Sequence, residues 1–201
     1  MKYIHALIVL MVFLLIFSGC ATTPQVNRTS ADEITDFSGR WNDTDSRLTA
    51  EAMVSSMLSS PWLEKFIAAE GREPVVIVGK ISNRSSEHID SLTFIKDIEK
   101  ELINSGKVIF VASGSERVEI REERDDQQSN ASMETAKALA AETGADFMLQ
   151  GVITSQTDAV EGKKAVLYKV DLELINLENN QKVWIETKNI KKIIKQKKAS
   201  W

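Results

Sequence analysis

The sequence predicts a single α/β domain in which a mixed central β-sheet, closed by a C-terminal antiparallel hairpin, carries helices packed on its faces. Three observations lead there. Pro74-Val75-Val76-Ile77-Val78-Gly79-Lys80-Ile81 is a nearly continuous β-branched run, the pattern of a strand covered above and below. Residues 91–105 place Leu92, Ile95, Ile98, Leu102 and Ile103 at helical spacing. Residues 166–175 alternate, with Val166, Tyr168, Val170, Leu172 and Leu174 on one face and a mostly polar set on the other.

The chain opens on a secretory signal. From Ala6 to Phe17 every residue is apolar, Lys2 precedes the run and the small pair Ser18-Gly19 follows it. The run is too short to span a bilayer, which needs roughly 20 apolar residues. Ser18-Gly19 leads directly into Cys20, the one cysteine of the sequence. This arrangement resembles the bacterial lipobox, with Phe17 in place of the usual aliphatic residue. The resemblance implies cleavage after residue 19, acylation of Cys20 and attachment to a membrane through lipid. Two or more acyl chains hold stably, since each buried CH₂ contributes roughly 0.8 kcal/mol. Ala21 and Thr22 are not acidic, which fits sorting to the outer membrane.

Residues 20–36 are polar and lack apolar periodicity, so they read as a flexible tether. Its full extension is at most about 60 Å. As a random coil it spans only about 23 Å. The globular part is expected from 37 to 201. Phe37 and Trp41 flank Gly39 in a short extended lead-in, and Asp43, Thr44 or Asp45 can cap the helix that follows. Leu48, Ala52, Met53 and Met57 are its apolar stripe. Ser60-Pro61 restarts a helix with Trp62, Phe66 and Ile67 inward, and Gly71 ends it.

After the β-branched strand and the helix over 91–105, Gly106 stands where a left-handed cap belongs. Lys107 to Val111 is the next strand. The charged segment 116–126 reads as a solvated helix face, and the Ala-rich 132–143 as a short helix stopped by Gly144. Phe147 to Ile153 is a strand, followed by a loop around Glu161-Gly162. Asn179-Asn180 marks the hairpin turn, and Val183-Trp184-Ile185 returns as the antiparallel partner. Trp41 and Trp184 read as core anchors. The lysine-rich end, 191–201, reads as a frayed tail.

Composition narrows the chemistry. Loss of residues 1–19 removes one lysine and no acid, so the formal charge moves from −4 to −5, which argues against a nucleic-acid partner. The mature chain keeps one histidine, His88, in a polar loop, and no free thiol. A cysteine nucleophile and a multi-histidine zinc site are thereby excluded, and no glycine-rich phosphate loop occurs. Acids are plentiful, but no spacing singles out a catalytic pair. The sequence therefore predicts an interaction module with no catalytic residue, metal, cofactor or small-molecule substrate. Arg84, just beyond a buried strand in a polar loop, is presented for contact or sits in a surface ion pair.

Several segments across the domain are similar to one family. They are Trp41-Asn42 before the first helix, Asn83-Arg84-Ser85 after the buried strand, Gly106-Lys107-Val108 leading to Phe110-Val111, Gly144-Ala145 before Phe147-Met148-Leu149, and Leu172 to Trp184 around the hairpin. Together they resemble the penicillin-binding protein activator LpoB family, outer-membrane lipoproteins that stimulate a bifunctional peptidoglycan synthase. The resemblance implies a fold like the N-terminal domain of TolB. It implies as partner the small non-catalytic regulatory domain of a class A penicillin-binding protein, bound through Asn83, Arg84, Ser85 and Gln150. Gln150 stands where the family's binding strand can carry an aromatic ring, and the tether is shorter than the long Pro-rich one of well-studied members. The alternative is a lipoprotein subunit of another envelope assembly or secretion complex that uses the same TolB-like domain.

Overall fold

The computed structural model describes residues 25–30, 32–111 and 144–195. The chain divides into two units, 1–33 and 34–201. The described residues of the first form no helix or strand. The second carries three helices and five strands among the described residues: α1 (Asp43–Ser59), α2 (Pro61–Glu70), β1 (Val75–Arg84), α3 (Ser91–Ser105), β2 (Ile109–Phe110), β3 (Phe147–Val160), β4 (Lys163–Asn176) and β5 (Lys182–Lys195). None of these helices is long and apolar enough to cross a membrane.

The strands form one mixed sheet in the order β2-β1-β3-β4-β5, with β1 parallel to β2 and β3, and β3-β4-β5 an antiparallel meander. Register fixes the two faces, because partners across a ladder point the same way. Leu149, Leu174 and Trp184 lie side by side, as do Ile153 and Val170, and they join Val76, Val78 and Ile81 of β1 in the core. The described helices pack on this face. β1 is buried through Val75, Val76 and Val78, with Ile77 half-buried. The register shifts between Val78 and Ile81, and beyond it Lys80 and Arg84 are exposed. The expectation of cover above and below holds for the first half of the strand. Its second half is open.

Local signals explain the helix ends. Asn42, one residue before the expected caps, accepts from the Asp45 amide at 3.1 Å while Asp45 accepts from the Asn42 amide at 3.0 Å, a reciprocal capping box. Pro61 occupies the first turn of α2, and Gly71 closes it at φ 67°. Asp90 caps α3 through the Leu92 amide, and Gly106 ends it at φ 61°. Trp62 and Phe66 of α2 set their rings edge-on against Phe147, with centroids 4.9 and 5.2 Å away. Beside them Arg72 forks onto Asp146 with two bonds of 2.7 Å, joining the α2–β1 link to the start of β3 and holding the Asp146 carboxyl below the usual carboxylate range.

Both long helices turn slightly from their expected phase. In α1 the core residues are Ala50, Met53, Val54 and Met57, while Leu48 is 41% exposed and Ala52 only half-buried. In α3 they are Phe94, Ile98 and Leu102, while Leu92 and Ile103 face out. In α2, Leu63 is buried in place of Ile67. The strands differ in length. β2 has two residues rather than five, and β3 runs on to Val160, so the Glu161-Gly162 loop is a two-residue turn with Gly162 at φ 74°. β5 extends to Lys195, so Lys191 to Lys195 belong to the sheet rather than to a frayed tail. The expected helices at 116–126 and 132–143, and residues 196–201, lie outside the described residues.

The lead-in is fastened to this last strand. Lys192 is buried, and its ammonium reaches Asp45 at 2.6 Å, Asp36 at 3.2 Å and the Arg40 carbonyl at 2.8 Å. Gly39, at φ 67°, lies so close to Ile194 that a Cβ would collide with its side chain. Tyr168 is buried, with its hydroxyl pKa raised by that burial and by the neighbouring Glu87 carboxylate. Trp41, half-buried, packs edge-on against Tyr168 and Phe94 and donates to Ser46 Oγ at 2.8 Å. Trp184 is in the core as expected. Replacing Lys192 by Ala strips the buried Asp45 of its counter-charge, so it should lower unfolding stability by about 3 kcal/mol in a denaturant titration. A loss below about 1 kcal/mol would show that the clamp contributes no more than a surface pair.

Candidate functional site

The face of the sheet opposite the described helices carries exposed polar side chains. Alternation and register place Lys80, Ser82 and Arg84 of β1 beside Gln150, Val152 and Thr154 of β3, followed by Asp171 and Glu173 of β4, then Ile185 and Thr187 of β5. Part of this face forms a groove of about 410 Å³ lined by Lys80, Arg84, Gln150, Val152, Glu173 and Ile185, among others. Gly151 sits in its floor, and a Cβ there would collide with the Asp171 carbonyl and the Leu172 side chain. The glycine lets β3 and β4 approach closely on the core side of the sheet, beneath the groove.

Charge in the groove is divided. Glu173 accepts from Lys182 Nζ at 2.6 Å and from Gln150 Nε2 at 2.7 Å. These bonds, Lys182 first, hold its carboxyl below the ordinary range. Asp171 is held by Lys169 at 3.1 Å and by the Thr187 hydroxyl. Across the sheet Arg84 is exposed, and no described residue forms an ion pair or hydrogen bond with its side chain. Ile185, paired with Glu173 across β4 and β5, is 66% exposed and supplies an apolar centre. An anchor of this composition suits a partner surface that carries carboxylates around an apolar patch.

The four residues expected to bind a partner divide into two pairs. Arg84 and Gln150 both line the groove. Asn83 and Ser85 do not. Asn83 points to the helix side and staples the following loop, donating from Nδ2 to the Glu87 carbonyl at 2.9 Å and to that of Ile89 at 3.3 Å, and accepting from the amide and hydroxyl of Ser85. Ser85 Oγ also accepts from the Glu87 amide at 3.2 Å. Asn83 and Arg84 are the last residues of β1 rather than loop residues, which is why adjacent side chains take opposite faces. Cys20 lies outside the described residues. His88 is exposed, and no group of three or more potential metal ligands occurs among the described residues. Lys80, Ile185 and Lys182 were missed. Lys80 shares the parity of Arg84 along β1, a signal present in the sequence.

Among the described residues these features define a class: an α/β domain with helices on one side of a mixed sheet and a grooved, polar face on the other. A model of the peptidoglycan-synthase activator LpoB family matches residues 45–190, and the chain belongs to that family. Among solved structures, the LpoB C-terminal domain from Salmonella enterica is 17% identical, with 73% of this chain and 98% of that one covered and a TM-score of 0.44. Escherichia coli LpoB, determined by NMR, is 14% identical over 90% and 87% of the two chains, with a TM-score of 0.41. Lipoprotein GNA1162 from Neisseria meningitidis is 12% identical over 60% and 83%, with a TM-score of 0.37. No curated protein matches the chain in sequence.

Because Glu173 is held ionised in the folded state, its contribution to stability is fully present above the unfolded carboxyl pKa of about 4.3 and is lost as pH falls through the depressed folded value. Lys182→Gln should move the Glu173 carboxyl towards its ordinary range in an NMR pH titration. No movement would remove Lys182 as the main cause.

Proposed function

We propose that this chain is an outer-membrane lipoprotein that binds and activates a bifunctional peptidoglycan synthase. The supporting observation is membership of a family of peptidoglycan-synthase activators. In this reading Cys20 carries the lipid, residues 20–36 are the tether, and the groove on the open face receives the non-catalytic regulatory domain of a class A penicillin-binding protein. Arg84 and Gln150 contact that domain. Asn83 and Ser85, consumed by their own loop, act by holding the end of β1 in place.

The mechanism is one of binding energy rather than chemistry. An activator raises the rate of a bound enzyme only by contacting its active conformation better than its resting one, so the groove must distinguish two states of the synthase. Arg84 suits this role. Its planar fork pairs bidentately with a carboxylate, and it is held at a strand end rather than on a mobile loop.

Two experiments test this reading. Arg84→Ala should leave the thermal melt unchanged and weaken binding to the synthase regulatory domain by about 2 kcal/mol or more in a titration. Equal affinity with an equal melt would remove Arg84 from the interface. Separately, Cys20→Ala should shift the protein from the membrane to the soluble periplasmic fraction, and mass spectrometry of the unaltered protein should find an acylated N-terminal cysteine. An unmodified N-terminus at another position would refute lipidation whatever the binding result.

A further inference from the structure

At the far end of the sheet from the groove, the β3–β4 turn, the end of β5 and the lead-in segment meet. They enclose a pocket of about 340 Å³ lined by Ser38, Arg40, Val160, Lys163, Lys164 and Ile194, among others. Arg40, Lys163 and Lys164 are exposed, and none forms a side-chain ion pair with a described residue. Lys191 and Lys195 of β5 are exposed at the same end, since Lys163 pairs with Lys195 in register. The acids at this end are Asp158 and Glu161 of the β3–β4 tip and Glu87, which lines an adjoining pocket with Arg40 and Lys164, while Asp36 is taken up by Lys192; five cations therefore stand against three other carboxylates in a chain whose formal charge is −4. Three large apolar side chains are exposed among them: Phe37 at 98%, Val160 at 70% and Ile193 at 67%.

Cations mixed with solvent-exposed apolar side chains are the composition of a surface that lies on a membrane. We propose that this end of the domain docks on anionic phospholipid headgroups, with Arg40 and Lys164 meeting lipid phosphate from one face of the sheet tip, Lys163 from the other, and Phe37, Val160 and Ile193 set into the interfacial layer. The argument for a membrane rather than another occupant is positional and rests on the reading of Cys20 as the lipid anchor. Ser38 and Arg40, which line the pocket, stand 18 and 20 residues after Cys20 in the chain. The tether therefore joins the domain at this end. The free negative charge on such a surface complements the free positive charge of the pocket.

The test uses the mature chain from residue 20 with Cys20→Ser, so that vesicle binding does not depend on acylation. The chain should co-sediment with vesicles of equal parts phosphatidylglycerol and phosphatidylcholine, and not with phosphatidylcholine alone. In the triple variant Arg40→Gln, Lys163→Gln, Lys164→Gln, partition onto the anionic vesicles should fall about tenfold or more, with an unchanged melt. Equal partition onto both vesicle types, or unchanged partition of the triple variant, would overturn the proposal. Saturable binding of inorganic phosphate without a preference for anionic vesicles would assign the pocket to a free anion instead and equally overturn it. Failure here leaves the acylation of Cys20 intact, because that is read by mass spectrometry. Absence of acylation with retained vesicle binding would leave the docking surface standing without its anchor.

Discussion

The Lys192 ammonium is the point at which the folded unit is tied together. It stands at the end of the last strand, yet its partners, Asp36, the Arg40 carbonyl and Asp45, belong to the lead-in and the first turn of α1. A buried cation is costly unless its donors are all used, and here three acceptors surround it. Asp45 serves twice, since the oxygen that meets Lys192 also accepts the Asn42 amide and so completes the capping box. One side chain thus sets the start of α1, the position of the lead-in and the alignment of β5. Once α1 is placed, the face of the sheet that it covers is fixed.

The grooved face of the sheet is built from paired charges rather than apolar side chains. Exposed β-sheet with hydrophobic side chains would invite association with any other sheet, and β5 is an edge strand with lysines at 182, 188, 191 and 195. Glu173 and Asp171 are already bonded within the face, so a partner meets a surface whose acids are fixed and whose cations at Lys80 and Arg84 stay available. Such a surface gives selectivity for charge pattern at modest affinity.

The sheet and its hairpin were legible in the sequence because period-two alternation in Val166 to Leu174 and the β-branched run of β1 report burial directly. The second half of β3 was not, since Thr154, Ser155, Gln156, Thr157 and Asp158 carry no hydrophobic signal and are held as strand by pairing with β4. Helix phase failed for a related reason. Counting Leu and Ile favoured Leu48 and Leu92, whereas the buried stripes include Ser46, Thr49 and Glu99, polar residues that the packing of α1 against α3 and the sheet encloses. Of the four residues expected to meet a partner, Arg84 and Gln150 line the groove and Asn83 and Ser85 lie outside it, because a contiguous motif hides the alternation of a strand. Lys192 looked like part of a soluble lysine tail, and only the fold supplies its three partners.

The two surfaces lie at opposite ends of the same ladder, and their separation follows from strand geometry. Glu173, in the groove, and Lys163, at the basic pocket, are ten residues apart on β4, which at about 3.3 Å per residue places them roughly 33 Å apart. If the basic end rests on a bilayer, the groove stands that far from its surface. With the domain lifted off, a tether of at most about 60 Å adds to this distance. Docking and reach therefore compete. A membrane-held domain presents its groove at a fixed height and orientation, which lowers the entropy lost when a partner arrives there. A released domain searches farther but less efficiently. In the first arrangement the height at which the groove is offered comes from the sheet itself.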